Sequence, residues 1–448
     1  MKYTELLADF ISTTSWPDLP DDAIQRSKWA MVDGIAVTFA GIPHEVGRSI
    51  IAFVKELGGK PTSTILGDGH RTSPPWAAYA NGTLSHAIDY DDTNYHMGGH
   101  PTAPLLAAIL AVGEKVRASG KDLLLSYILG LEVETKIGLT INKVHYNLGW
   151  HPTATLGTLG AAAACAKVMN LNREQILMAL GMAGSQASAL KQNFGTMTKP
   201  LHVGQAAKNG VLSALLASKG WTADREILEG HFGFCNLFAG RGLYDLKDMS
   251  ESLGQPFDIL EPGVQIKKYP CCGSTHPTLD ALSNILKEHT LQPEEIVSVE
   301  SDIHPDRIHV LLHPDPKTDL EAKFSLQYCI ATMILNKGRV SITDFTEERV
   351  TGDVVHSFLP KIKVTQQPSL KPWHVRLRIR LRDGQVIEKE GGESPGITAW
   401  DELVEKYEDC LRPILPTKKI QKSLRMIQEI EKIDDISELM KALVAKGK

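Results

Sequence analysis

The chain has 448 residues, of which 42% are hydrophobic and 23% charged, and its formal net charge is −5. This composition is typical of a globular protein of two or three domains, and the near-neutral charge argues against a nucleic-acid partner, which would select a basic patch. The sequence has no run of about 18 apolar residues, so a membrane span is not expected. The cysteines are few and scattered, and the N-terminus does not resemble a secretory signal; both observations favour a cytoplasmic protein.

Helices are predicted over most of the first 260 residues. Apolar side chains recur at spacings of three and four over 21–39, and further helices are predicted over 104–116 and 155–169. Asn172 and Gln175 have the spacing of a capping box at the start of another helix. Glycine and alanine are so frequent in these segments that we expect closely packed helices in a buried bundle.

The pattern changes after Gly263. Residues 295–303 and 361–365 are typical of strands, while 374–381 alternate between apolar and polar side chains and lead through Asp383-Gly384 into a predicted hairpin. Helices are predicted over 277–289, 324–335, 400–411 and 418–445. We therefore predict a mainly α fold with an inserted α+β domain. Residues 1–263 together with 393–448 would form a large all-helical domain, and 264–392 a smaller α+β lid domain.

Four of the histidines and lysines that stand immediately before a proline lie at or near the start of a helix-like run: His100, His151, Lys199 and His276. Proline is favoured at the first helical position, and the residue before it is pushed out of helical geometry. We therefore expect each of these side chains at a helix N-terminus, where free N–H groups attract anions. If the four ends converge, they form a pocket for a substrate with several carboxylates. The alternative is four unrelated helix starts.

Segment 86–102 concentrates carboxylates and histidines. Asp89, Asp91 and Asp92 could bind a metal through their oxygens. The interpretation we prefer is acid/base chemistry, in which a carboxylate poises a neighbouring imidazole. Phosphate-binding, dinucleotide-binding and nucleophile-elbow signatures are missing from the sequence, which leaves acid/base chemistry without a redox cofactor. Acidic clusters also often cap helices instead of binding a metal.

Other ionisable side chains occur in three further stretches. Tyr146 precedes His151 closely, and Lys199 with His202 follows a small-residue turn. A lysine with a lowered pKa can act as an acid or a base. Cys272 lies at the predicted domain junction, where substrate clefts are common. It could give or take a proton, or it could be an inert buried thiol.

These motifs together resemble the MmgE/PrpD family, in order and along nearly the whole chain. The matching stretches are His86-Ala-Ile-Asp89-Tyr-Asp-Asp-Thr93, His100-Pro101, Gly149-Trp-His151-Pro152, Thr198-Lys199-Pro200-Leu-His202, Lys267-Lys-Tyr-Pro270 and Ala322-Lys-Phe-Ser-Leu326. The resemblance implies a large helical domain, a smaller α+β lid domain, a cleft between them and a homodimer. It also implies a pocket that contains Asp89, Thr93, His100, His151, Lys199 and Lys267.

The family includes 2-methylcitrate dehydratase, cis-aconitate decarboxylase and iminodisuccinate epimerase, which all act beside a carboxylate. This chain has Cys272 where the decarboxylase pattern has a catalytic histidine, and one more residue between Thr93 and His100. His276 could supply the imidazole only if the loop runs differently. The presence of Cys272 in place of this histidine argues against cis-aconitate decarboxylation.

We therefore predict a metal-free lyase acting on a small di- or tricarboxylic acid, similar to 2-methylcitrate dehydratase. Its acid/base residues would be Lys199 and His151, supported by Asp89 and His100. Carboxylates of the substrate would be bound by Thr93, Lys267, His202 and His276. One alternative is a cofactor-independent epimerase or racemase of a dicarboxylate that uses Cys272 and Tyr146. Another is a binding protein that has kept the pocket and lost the chemistry.

Overall fold

The structure, a computed structural model, describes residues 2–445 apart from the side chain of residue 143. The helices before residue 263 are α1 (Tyr3–Thr13), α2 (Asp21–Gly41), α3 (Glu45–Leu57), α4 (Pro74–His86), α5 (Thr102–Val116), α6 (Gly120–Asn147), α7 (Pro152–Val168), α8 (Arg173–Gln186), α9 (Thr198–Ala217), α10 (Phe234–Phe238) and α11 (Lys247–Ser252). The helices predicted from periodicity in this region are confirmed, with ends that differ by a few residues.

The centre of this helical region is α7, which packs against α5, α6, α8 and α9. Nearly all of its residues are buried, and most of them are alanine, glycine or threonine. Such short side chains let neighbouring helices approach closely on every side. The predicted capping box also forms at α8, because Asn172 accepts from the N–H of Gln175 at 3.0 Å while the Gln175 side chain accepts from Asn172 at 3.1 Å.

A short antiparallel pair that the sequence pattern did not predict lies within the helical region. It consists of β1 (Ser63–Thr64) and β2 (Arg71–Thr72). The Ser63 hydroxyl donates to the carbonyl of Ala111 at 2.6 Å, and the Thr64 N–H and hydroxyl both donate to the Glu114 carboxylate. Strands of two residues are too short to show an alternating pattern, so side-chain bonds to α5 hold them.

The second region contains α12 (His276–Glu288), β3 (Ile296–Ile303), α13 (Pro305–Ile308), α14 (Asp319–Ala322), α15 (Leu326–Leu335), α16 (Glu347–Val350), α17 (Asp353–Phe358), β4 (Ile362–Gln366), β5 (Val375–Leu381) and β6 (Val386–Gly391). Helix then returns as α18 (Trp400–Leu411), α19 (Thr417–Gln428) and α20 (Ser437–Ala442). The strands predicted over 295–303, 361–365 and 374–381 are confirmed, whereas the helix predicted over 418–445 is interrupted between α19 and α20.

These four strands form a sheet in the order β4-β3-β5-β6. β3 runs parallel to β4, and β5 is antiparallel to both β3 and β6, with Ile379 paired to Val299 on one side and to Ile387 on the other. The apolar residues of β5 are buried, and α12 packs against β5 and β6. The arginines of β5 lie on the other face, where Arg376 and Arg378 pair with acidic residues of the neighbouring strands. Alternation thus gives the sheet one buried and one charged face.

Two large hydrophobic clusters divide the chain. One joins residues between 7 and 266 with residues between 397 and 443, and the other runs from 269 to 387. This division supports our proposal that 264–392 is an inserted domain and that the C-terminal helices return to the helical one. Among residues 2–445, no helix combines the length and apolarity needed to cross a membrane.

Candidate active site

Two tightly packed helices bring the first site residues together. α4 ends at His86, and Lys199 is the second residue of α9. The helices meet at Gly82 and Gly204, where a Cβ built on Gly82 would lie 3.0 Å from the Cα of Gly204. Real Cβ atoms are not found much closer than this to backbone, so the glycines permit the approach. As a result the Nε2 of His86 lies 2.9 Å from the Nζ of Lys199.

Lys199 stands at the centre of a buried polar chain. Its ammonium donates to Asp89 Oδ1 at 2.5 Å and faces His86 Nε2, while the Nδ1 of His86 lies 2.8 Å from the Asp91 carboxylate. His86, Asp89, Asp91 and Lys199 are each 5% exposed or less. If His86 Nδ1–H donates to Asp91, its Nε2 is an acceptor for Lys199. This series of hydrogen-bonded side chains therefore links a carboxylate, an imidazole, an ammonium group and a second carboxylate.

Asp89 lies in the loop after α4 with a left-handed backbone, at φ 54°. Aspartate tolerates this region better than most residues, and such conformations concentrate at functional sites. The Asp89 carbonyl accepts from the Nζ of Lys267 at 2.7 Å, and its Oδ2 lies 3.2 Å from the same ammonium group. Burial raises the pKa of Asp89, but Lys199 and Lys267 outweigh it and hold that pKa well below its usual range. Asp89 is therefore ionised and shared by two cations.

The histidines around Lys199 are neutral at pH 7. Burial lowers the pKa of His100 to about 3, against the opposing charge of Asp91, and that of His202 to about 4. Burial and the Lys199 ammonium hold the pKa of His151 well below its usual range. The Nδ1 atoms of His151 and His202 lie 3.2 Å apart, and the His86 ring centroid lies 4.6 Å from that of His100. These imidazoles are therefore in the unprotonated form that a general base requires.

Three of the four helix starts predicted to converge do so. His151 directly precedes α7, and His100 and Lys199 lie within two residues of the starts of α5 and α9. His276 begins α12 instead, and its ring lies 5.1 Å from that of Tyr269 within the inserted domain. The described contacts of Thr93 run to the Gln265 side chain at 3.3 Å. The substrate-binding roles of His276 and Thr93 stay predictions.

Tyr146 and Cys272 lie within electrostatic range of Asp89. Both are half-buried, and the charge of Asp89 acts on both. Burial raises the pKa of the Cys272 thiol and also that of the Tyr146 hydroxyl. The Lys191 ammonium lies 3.4 Å from the centroid of the Tyr146 ring. At neutral pH these two groups are therefore protonated and can act as donors.

Sequence reasoning did not assign a role to His86 or Lys323, and it considered Asp91 only as a metal ligand. All three stand in the motifs that carry the family resemblance, but only the fold shows their contacts. The Lys323 ammonium donates to the carbonyl of Pro270 at 3.0 Å, and its own carbonyl accepts from the N–H of Cys272 at 2.9 Å. Burial lowers the pKa of Lys323 to about 8. Lys323 therefore holds the loop that carries Cys272.

A buried lysine from the C-terminal helices binds the backbone next to the site residues. Lys406 in α18 donates to the carbonyls of Tyr90 and Lys267, both at 2.9 Å, and its Nζ lies 2.6 Å from Asp33 Oδ1 in α2. Tyr90 follows Asp89 directly in the chain. Lys406 thus ties the two backbone segments that carry Asp89 and Lys267 to the helical core.

Part of the cluster has the spacing of a cation site. His86, Asp89, Asp91 and His100 offer ligand atoms that all lie within 4.8 Å of one another. Asp92, the third carboxylate considered from the sequence, instead accepts from the Thr102 hydroxyl and N–H. Since the ammonium groups of Lys199 and Lys267 already contact the Asp89 carboxylate, a metal ion would have to compete with both. Metal-free chemistry stays our prediction.

Comparisons with known proteins cover both parts of the chain. The family model of the MmgE/PrpD N-terminal domain matches residues 5–246, and that of the MmgE/PrpD C-terminal domain matches residues 269–432. The chain is 28% identical to the cis-aconitate decarboxylase of Mus musculus, over 98% of this chain and 93% of the mouse protein. It is 28% identical to the cis-aconitate decarboxylase of Homo sapiens, over 97% of this chain and 93% of the human protein. It is 24% identical to the cis-aconitate decarboxylase of Aspergillus terreus, over 98% of this chain and 95% of the fungal protein. Since the two models together match most of the sequence, the chain belongs to the MmgE/PrpD family.

Proposed function

We propose that the protein is a lyase that acts on a small tricarboxylic acid by proton transfer at a carbon next to a carboxylate. The observation that carries the proposal is the buried pair of ammonium groups, Lys199 and Lys267, arranged around Asp89 beside neutral histidines. Fixed cations in a site shielded from water stabilise the negative charge that develops when such a carbon loses a proton or a carboxyl group. A relative's activity on cis-aconitate supports the same substrate class.

Dehydration of a 2-methylcitrate-type substrate is the reaction we favour. His151 accepts the proton from the carbon next to a carboxylate, and Lys199 and Lys267 stabilise the resulting charge. The electron pair then forms the double bond while the hydroxyl group leaves as water, after protonation by Cys272 or Tyr146. Support for this assignment comes from the raised pKa values of these two groups, which keep them protonated near Asp89 at neutral pH.

Decarboxylation of cis-aconitate is the second candidate, because the similar proteins named above are cis-aconitate decarboxylases. In that reaction the carbon–carboxylate bond breaks, CO2 leaves, and the electron pair shifts through the double bond to a carbon that then takes a proton. Lys199 would supply that proton. Cys272, in place of the histidine of the decarboxylase pattern, is the reason we rank this reaction second.

Proton NMR in D2O tests the proposal directly. The EDTA-treated protein is incubated separately with 2-methylcitrate, citrate, cis-aconitate and iminodisuccinate. We expect loss of water from one of the first two, and release of CO2 from cis-aconitate would instead establish the second candidate. Deuterium entering a C–H position without net product would identify an epimerase. No change in any substrate would contradict a lyase of this class.

A pair of lysine variants on one helix controls the assay. Lys199→Ala is expected to lower turnover about 100- to 1,000-fold, the range seen when one charge-stabilising donor is removed. Lys208→Ala is the matched control, because Lys208 also lies in α9 but packs over Trp76 and Tyr79. Equal turnover in the Lys199 and Lys208 variants would remove Lys199 from the mechanism.

Three accompanying proposals concern the state of the protein: a homodimer, a reaction without cofactor or metal, and a cytoplasmic location. The dimer predicts a molecular mass near twice 49.1 kDa by light scattering after size-exclusion chromatography. Full activity after dialysis against EDTA would support the metal-free reaction, and activity restored only by an added divalent ion would contradict it. Fractionation of the source cells tests the location.

A further inference from the structure

Arg307, in α13, is a buried cation with unmet hydrogen-bonding capacity. It is 3% exposed, and its Nη2 contacts the carbonyl of Ser274. Its Nε and Nη1 have no hydrogen-bond partner among residues 2–445. The Trp373 ring, 5.5 Å from its Cζ, covers one face of the guanidinium. Burial of a charged group with unsatisfied donors is unfavourable, so the arrangement is one that an incoming anion would stabilise.

The turn that Arg307 contacts is also suited to an anion. Residues Gly273–Thr275 form a turn of 3-10 helix that runs directly into α12. The N–H of Thr275 donates to the Cys272 carbonyl at 2.9 Å and that of Ser274 donates to the Cys272 thiol, so the positive charge near this turn comes from the Arg307 guanidinium. A Cβ built on Gly273 would meet nothing within 4 Å, so open space adjoins the turn at this point. The guanidinium and the open space therefore adjoin the same turn.

Cys272 connects this turn to the candidate active site. Its thiol lies within electrostatic range of Asp89, Lys267 and Lys199, and Arg307 lies within the same range of Cys272. Because Cys272 is the residue immediately before the turn, Arg307 and the Lys199–Lys267 pair face the same short segment.

We infer that Arg307 and the Cys272–Ser274 turn form a subsite for a carboxylate of the substrate remote from the reacting carbon. The inference rests on the proposed function, since it assumes a polycarboxylate at Lys199 and Lys267. It adds a specificity role: charge-assisted hydrogen bonds from Arg307 favour a tricarboxylate over a dicarboxylate. Cations for two carboxylates lie in the cluster around Asp89, and Arg307 supplies the third from the inserted domain.

Binding of unreactive analogues, measured by calorimetry, tests the subsite. Tricarballylate has three carboxylates, while methylsuccinate and glutarate each lack one of them. Arg307→Gln is expected to weaken tricarballylate binding about 10- to 100-fold and to leave the two dicarboxylates within about twofold, as for loss of one charge-assisted hydrogen bond. Arg380→Gln is the matched control, since Arg380 lies exposed on β5 of the same domain.

A second variant guards against loss of folding in the first. Gly273→Leu keeps Arg307 and places a side chain in the open space beside the turn, so it should also weaken tricarballylate selectively. Thermal unfolding reports whether either variant is folded. If wild type prefers tricarballylate and both folded variants keep that preference, the subsite is wrong while the proposed function stands. If wild type binds none of the three acids, the proposed function fails and the subsite with it.

Discussion

The buried ion pair between Lys406 and Asp33 offers a quantitative test of how the site is held in place. Lys406 is 5% exposed and Asp33 is fully buried, and the Nζ–Oδ1 distance is 2.6 Å. The Asp33 carboxylate accepts no well-aligned hydrogen bond from the described residues. Lys406→Met keeps the length of the side chain and removes its charge, so Asp33 stays buried without a counter-ion.

The expected destabilisation follows from the interactions that the Lys406 ammonium makes. Removing one partner of a buried ion pair destabilises a protein by about 3–5 kcal/mol. Two carbonyl groups, those of Tyr90 and Lys267, are also left without this donor, each bond being worth about 1 kcal/mol. Because such effects are not additive, we expect a decrease of about 4–6 kcal/mol in the free energy of unfolding. For 448 residues this corresponds to a fall of about 4–6 °C in Tm.

Urea unfolding followed by circular dichroism measures the effect, and a double variant isolates its cause. Asp33→Asn in the Lys406→Met background removes the buried charge, and we expect it to recover at least about 2 kcal/mol. A decrease below about 1 kcal/mol in the single variant, or no recovery in the double variant, would refute the argument that an uncompensated charge is responsible. Turnover should also fall in Lys406→Met, because the backbone beside Asp89 loses its support.

Three further predictions concern the site itself. His86→Gln should lower kcat about 10- to 100-fold with little change in KM and should shift the pH profile of kcat, because Lys199 loses its link to Asp91; an unchanged profile would make His86 merely structural. Cys272→His should raise the rate of CO2 release from cis-aconitate relative to the rate of water loss from 2-methylcitrate. The ratio of the two products, measured by NMR, tests this prediction. Because the folded pKa of His100 is about 3, below its unfolded value of about 6.5, the unfolded chain binds the proton first as pH falls. His100 alone should therefore cost about 1 kcal/mol of stability between pH 6.5 and 5.5, and equal stability at the two pH values in urea unfolding would contradict a neutral His100.

Much of the fold was predictable from local patterns. The strict alternation along β5 and the Asp383-Gly384 turn fix the hairpin without reference to the rest of the chain. The periodicity of α2 likewise predicts its start at Asp21. In contrast, β1 and β2 depend on side-chain bonds to α5, which no local pattern encodes. Short elements of this kind are determined by tertiary contacts rather than by propensity.

The candidate site was predictable in composition more than in arrangement. Proline after His100, His151 and Lys199 marks helix starts, and these three do converge. The same pattern at His276 marks a helix of the inserted domain, whose direction local sequence cannot give. His86 was overlooked because its role depends on Lys199, 113 positions further along the chain. A relation across that separation exists only once α4 and α9 are packed.

The glycine contact between those two helices has a consequence for protein engineering. Gly82 and Gly204 set the spacing that places His86 beside Lys199, although neither takes part in the chemistry. Saturation libraries at these two positions should therefore yield inactive variants even when the active-site residues are unchanged. Libraries that aim at a new substrate range are better placed in the inserted domain, on the far side of Cys272. There the recognition of the substrate can vary while the crossing of the two helices is preserved.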